Sequence, residues 1–210
     1  MSQASSIHVV KSEHKGVQSD SMLRIGVIGY GYWGPNIVRN FNAIDGARVA
    51  AVSDLKDDSL KKVEKGYPGI RTTKSADELI RSTDIDAVAI VTPVFTHFEL
   101  AKKALEAGKH VFVEKPFTYT VAQAEELINL AERKRLRIMV DHTFLFTGAV
   151  RKMKQLVDDG TLGKIYYYDS MRVNLGLFQH DVNVIWDLAP HDLAIMFYVL
   201  GQKPKAVVAT

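Results

Sequence analysis

Gly29-Tyr30-Gly31-Tyr32-Trp33-Gly34 constrains the fold of this chain more than any other stretch. It follows the apolar run 22–28 and precedes a helical pattern opening at Pro35, so the glycines join a strand to a helix. In that context Gly29 allows the tight turn, Gly31 lets the backbone approach a pyrophosphate, and Gly34 lets helix and strand pack closely. Pro35 suits the first helical turn, where its missing N–H has no partner to lose. The helix N-terminus then faces the phosphates of a dinucleotide, with Tyr32 and Trp33 in the same binding loop.

From Met22 onward, short apolar runs alternate with amphipathic stretches, which predicts a doubly wound parallel α/β sheet with helices on both faces. Strands are expected at 23–28, 48–53, 87–91, 110–113 and 138–140. Helices are expected at 34–43, 59–65, 75–81, 96–107 and 120–134, the third opened by a capping box of Ser75 with Glu78 and the fourth stopped by Gly108. The chain divides into an extension (1–21), a dinucleotide-binding domain (22–146) and the start of a second domain (147–210). The extension is serine-rich, polar and expected to be disordered. In the second domain helices are expected at 149–157 and 187–200. Strands are expected at 164–173, which is rich in tyrosine and β-branched residues, and from 205 onward. They would begin an α+β unit with an open mixed or antiparallel sheet, incomplete at residue 210.

With 27 basic and 24 acidic residues well mixed along the chain, the net charge of +3 gives no footprint for nucleic acid. The dense cluster Arg133, Lys134, Arg135 and Arg137 lies at a helix end, where cations complement the macrodipole. No apolar run approaches a membrane span. The absence of cysteine excludes disulfides and thiolate chemistry and fits a cytoplasmic protein.

Asp54 ends the second apolar run, 20 positions after Gly34, where a carboxylate accepts hydrogen bonds from the adenosine ribose. Its charge opposes a 2′-phosphate and so favours NAD over NADP. The competing reading makes it a cap for the next helix. Thr92-Pro93 and Glu114-Lys115-Pro116 close later strands, at the carboxyl edge where an open α/β sheet binds its ligand. His97 follows Thr92-Pro93 and either touches the nicotinamide side of the cleft or serves as a local cap. An ammonium such as that of Lys115 stabilises negative charge on a reacting oxygen. Asp141-His142 could form a relay, with a structural role favoured. Asp187 and His191 share a helical face, and Pro190 requires that helix to begin close to Asp187. His191 is then expected near its ordinary pKa, suited to general base work, unless Asp187 is an N-cap and His191 a packed side chain.

The glycine loop, Asp54, Thr92-Pro93 with His97, Glu114-Lys115-Pro116, and Asp187 with His191 occur in the order that resembles the Gfo/Idh/MocA oxidoreductases. The resemblance covers residues 23–210. It implies a Rossmann domain binding NAD, with Thr92, Pro93, His97, Glu114 and Lys115 on the cofactor side. It also implies Lys115 as the substrate-binding catalytic lysine, His191 as the acid/base, Asp187 as its partner and a substrate contact, and often a cis Lys-Pro bond. The segment from Arg172 to His191 resembles a subgroup acting on nucleotide-linked sugars, with Arg172 and Asn174 on the substrate face. Two departures stand out: Ala189 and Ala194 replace a frequent glycine and aspartate, and Asp192 lies directly beside His191. The expected activity is hydride transfer to or from a sugar or nucleotide sugar, with homo-oligomerisation through the completed second sheet. The alternative is a non-catalytic NAD or nucleotide-sugar binding module.

Overall fold

The computed structural model describes residues 22–173 and 183–208. The extension 1–21 and Asn174 lie outside the described residues. Six parallel strands form one sheet: β1 (Leu23–Ile28), β2 (Ala47–Ser53), β3 (Arg71–Thr73), β4 (Ala87–Ile90), β5 (His110–Val113) and β6 (Ile138–Val140). Their order is β3-β2-β1-β4-β5-β6, so the topology reverses direction between β1 and β4 and opens a ligand crevice at their carboxyl ends. β3 escapes the sequence reading because Arg-Thr-Thr carries no apolar alternation, and pairing with β2 alone defines it.

Helices α1 (Gly34–Asn42), α2 (Asp57–Gly66), α3 (Ala76–Arg81), α4 (His97–Glu106) and α5 (Val121–Lys134) cover the sheet. One core layer joins Leu79, Ile90, Leu105, Val113 and Leu127, and the other joins Val27, Val38, Val49, Val52 and Val63. Burial on both faces explains why the strands read as apolar runs. Gly26 is required by this packing, since a Cβ there would stand 2.4 Å from Leu79 Cδ2.

The capping box expected at Ser75 forms only in part. Glu78 N–H donates to Ser75 Oγ, while the Glu78 carboxylate accepts from Thr73 Oγ1 at 2.6 Å. The reciprocal box occurs instead at Thr120 and Gln123, opening α5. Gly108 has φ +78° beyond the end of α4, as a helix stop requires. Residues 133, 134, 135 and 137 are exposed at and beyond the end of α5.

After β6 come α6 (Gly148–Asp158) and α7 (Val184–Leu200), which pack through Val150, Ile195 and Val199. α7 starts three residues before Asp187 and is capped by Asn183, whose side chain accepts from Trp186 N–H at 3.0 Å. Pro190 therefore lies inside the helix, contrary to the first-turn expectation. The strand expected at 164–173 does not form, and 205–208 belong to no strand. A β-rich composition makes a strand only with a ladder partner, and none meets these segments among the described residues. Among those residues no helix is long and apolar enough to cross a membrane.

Candidate active site

The carboxyl ends of β1, β2, β4, β5 and β6 carry the glycine loop, Asp54, Thr92-Pro93, Glu114-Lys115-Pro116 and Asp141-His142, while Asp187 and His191 come from α7. Gly29 leaves β1 with φ +98°, and a Cβ there would overlap the Val91 carbonyl oxygen at 2.4 Å. Gly34 opens α1 against Gly29, where an added Cβ would lie 2.8 Å from its carbonyl oxygen. At Gly31, by contrast, an added Cβ meets nothing within 4 Å. Two glycines therefore serve the fold, and the third leaves open space for a pyrophosphate in front of the α1 N-terminus. Tyr32 and Trp33 are exposed on this loop and pack edge to face, with ring centroids 5.0 Å apart.

Asp54 holds the same loop. Its Oδ2 accepts from Tyr30 N–H at 2.7 Å and its Oδ1 from Lys56 N–H at 2.8 Å. The N-cap position of α2 is Lys56, so Asp54 does not cap that helix. Each carboxylate oxygen keeps a lone pair for a further donor such as a ribose hydroxyl. Loop, open glycine and carboxylate together fit a dinucleotide with a free 2′-hydroxyl.

Thr92 pairs through its hydroxyl with Thr96 at 2.6 Å, and Pro93 is exposed beside it. His97 does not face the cleft as a free contact. It is 1% exposed, with Nε2 2.7 Å from the Thr92 carbonyl oxygen and Nδ1 2.9 Å from that of Pro116. Its imidazole thus joins the two strand-end turns, a local role of the kind the sequence left open beside a nicotinamide contact. The Lys115-Pro116 bond is cis, as the family resemblance implies.

Lys115 and Asp187 come together across 72 residues of sequence. The ammonium donates to Asp187 Oδ1 at 2.7 Å and to its backbone oxygen at 2.9 Å, and both side chains are mostly enclosed, 15% and 19% exposed. Pro190 has no N–H to donate to the Trp186 carbonyl, one residue before the Asp187 carbonyl that receives Lys115. Asp187 is accordingly the partner of Lys115, not of His191.

His191 is buried on the next turn of α7, its Nδ1 without a hydrogen-bond partner among the described residues and the Phe144 ring edge-on at 4.7 Å. Its pKa falls to about 4, chiefly through burial and then through the charges of Lys115 and Arg172. The near-ordinary value expected from the sequence balanced Asp187 against the helix N-terminus alone and left out burial and the two neighbouring cations. Arg172 is held by Asp192, Nε to Oδ2 at 3.0 Å and Nη2 to Oδ1 at 3.1 Å, and lies over the Phe144 ring. Only part of its donor fork therefore remains for a ligand. Phe144 is the site residue the sequence did not single out, and Asp192 was noted there without a role. The position of Asp192 beside His191 was its one visible signal.

Glu114 and Asp141 end adjacent strands, next in register after Val113 and Val140. Burial and the Asp141 charge raise the Glu114 carboxyl to about 7, and burial also raises Asp141. His142 beside them is lowered by burial, and its Nδ1 has no hydrogen-bond partner among the described residues.

The Gfo/Idh/MocA family model, described as an oxidoreductase family with an NAD-binding Rossmann fold, matches residues 23–142. The chain is 35% identical over 192 residues to the uncharacterized oxidoreductase YdgJ of Escherichia coli, covering 85% of this chain and 54% of that protein. It is 31% identical over 192 residues to a UDP-N-acetylglucosamine 3-dehydrogenase of Acidithiobacillus ferrooxidans, covering 89% and 57%. A crystal structure of scyllo-inositol dehydrogenase from Lactobacillus casei with NAD(H) and scyllo-inositol superposes with a TM-score of 0.73 at 26% identity, covering 86% and 57%. The chain thus spans a little over half the length of these relatives. Sheet order, glycine loop and matched residues agree, and the chain belongs to the Gfo/Idh/MocA family of NAD-binding oxidoreductases.

Proposed function

We propose that this chain carries the cofactor domain and the first part of the substrate side, 147–210, of an NAD-dependent oxidoreductase acting on a secondary alcohol or ketone of a sugar-like polyol. The observation that carries the reading is Lys115, fixed by Asp187 in a mostly enclosed site beside His191. NAD supplies the hydride acceptor or donor. The residues of this chain supply position and charge.

Asp54 and the open face of Gly31 hold the dinucleotide. Lys115 sits where a substrate oxygen gains negative charge as its C–H bond breaks, and an ammonium fixed beforehand stabilises that charge without reorganising. Asp187 keeps the ammonium aimed and leaves it two donors less, so a substrate oxygen meets the remaining N–H. His191, uncharged at neutral pH, has an acceptor nitrogen for the hydroxyl proton. Arg172, backed by Asp192, borders the same space and offers its unused donors to a polar substituent. Nucleotide sugars are the narrower substrate class within this reading, supported by the UDP-N-acetylglucosamine 3-dehydrogenase among the relatives; inositols are supported equally by the scyllo-inositol enzyme.

The test is calorimetric titration with NADH and NADPH, then a nicotinamide absorbance assay against aldoses, inositols and nucleotide sugars. NADH binding with turnover of at least one polyol is expected. NADH binding without turnover of any panel member would overturn the enzymatic reading in favour of a binding module.

A further inference from the structure

We infer that Glu114 and Asp141 hold one proton between them at the floor of the cleft and act as a positioning pair for Lys115. The inference deepens the reading of Lys115 as the group that meets the substrate oxygen and rests on it for its consequence. Parallel pairing of β5 with β6 puts the two carboxyls side by side at the first residue past each strand, anchored by Glu114 N–H to Ile90 O at 3.0 Å and Asp141 N–H to Val113 O at 2.9 Å. Glu114 is 8% exposed. Among the described residues neither carboxyl forms an ion pair, because the neighbouring ammonium of Lys115 is committed to Asp187. Two enclosed carboxylates without a cation of their own cannot both stay ionised. One proton between them, Glu114 O–H donating to the Asp141 carboxylate, removes the repulsion. The direction of both shifts agrees, with Glu114 at about 7 and Asp141 raised by burial.

The titratable groups that act on the pair are Lys115 on the β5 turn and His142 at the end of β6; Asp187 and His191 on α7 reach it only through their contacts with those two. With one proton shared, the pair carries one negative charge and Asp187 holds the ammonium. Loss of that proton places a second negative charge beside Lys115, which competes with Asp187 for the ammonium. The proton thus keeps Lys115 turned toward the substrate space.

The full chain, labelled with 13C at side-chain carboxyls and at lysine Cε, would be titrated by NMR from about pH 4 to about pH 9. Glu114 is expected to titrate near neutrality, and the Lys115 Cε resonance to show the same inflection. In Asp141→Asn the Glu114 midpoint should fall by at least about one pH unit, and in Glu114→Gln the Lys115 inflection should vanish. A wild-type Glu114 midpoint in the ordinary carboxylate range overturns the shared proton, whether or not either variant folds. An inflection at Glu114 that Lys115 does not report overturns the positioning role. No readout uses turnover, so failure of the oxidoreductase reading in the substrate panel remains a separate result.

Discussion

Lys115 Nζ lies 2.7 Å from Asp187 Oδ1 and 2.9 Å from the Asp187 carbonyl oxygen, a double contact between the end of β5 and the proline-bearing turn of α7. The carboxylate supplies countercharge and the carbonyl supplies direction. Because the ammonium has three donors, this arrangement leaves one for a substrate oxygen.

Lys115→Met should therefore lower turnover by about 10²- to 10³-fold, the loss typical of a removed oxyanion donor, with NADH affinity retained. Asp187→Ala should cost about 1 to 3 kcal/mol of stability as well, since it leaves an enclosed ammonium unpaired. Steady-state kinetics with parallel calorimetry checks the first, and urea denaturation the second. Equal loss of turnover and of NADH affinity in Lys115→Met would mean that the lysine serves the cofactor instead.

The three glycines of the loop separate folding from binding. Gly29→Ala meets both a positive φ and the Val91 carbonyl, so it should lose about 2 kcal/mol or more. Gly31→Ala has room for its methyl and should leave stability within about 0.5 kcal/mol of wild type. That methyl instead fills space the pyrophosphate needs, and NADH affinity should fall at least about tenfold. Thermal melts and calorimetry on both variants decide it; a Gly31→Ala protein that binds NADH normally would place the phosphates elsewhere.

How much of this was legible in the residues varies with the range of the interaction. Most of the sheet, its helices and the glycine loop follow from local patterns, because the central strands are buried on both faces and the helices that cover them on one. β3 was invisible because three polar residues acquire strand character only from β2. The segment 164–173 erred in the opposite direction, with β-prone residues lacking a ladder. Within the site, the positions of Lys115, Asp187 and His191 could be read, but their pairing could not. Spacing along α7 joins Asp187 to His191, whereas the fold brings Lys115 across 72 positions to claim the carboxylate first. His97 stayed open between a cleft contact and a local role because nothing in the sequence shows its ring meeting the Pro116 carbonyl.

Asp54 braces the glycine loop and, in the proposed reading, opposes a 2′-phosphate, and one substitution can divide the two tasks. Asp54→Asn keeps an oxygen that accepts from one backbone N–H but loses the charge that opposes a 2′-phosphate. The ratio of NADPH to NADH affinity should rise by about tenfold, which corresponds to about 1.4 kcal/mol. Competitive calorimetry with the two reduced cofactors measures it. An unchanged ratio would confine Asp54 to bracing the loop.

His191 sets a pH dependence whose sign can be worked out. Its folded-state pKa, about 4, lies below the ordinary 6.5, so the unfolded chain binds the proton first as pH falls. The native state is at its full advantage above about 6.5, and that advantage is lost between about 6.5 and about 4, by on the order of 2 to 3 kcal/mol. His142, lowered by burial, acts in the same direction. Glu114 acts in the opposite one: raised from 4.5 to about 7, it binds a proton in the folded state first and stabilises the fold as pH falls through that window. The wild-type profile sums these terms, so the contrast with His191→Gln isolates one of them. Urea denaturation near pH 7 and again near pH 5 should show the variant losing less stability than wild type over the interval. Parallel losses would mean that the imidazole gains its proton without leaving its buried place beside Phe144.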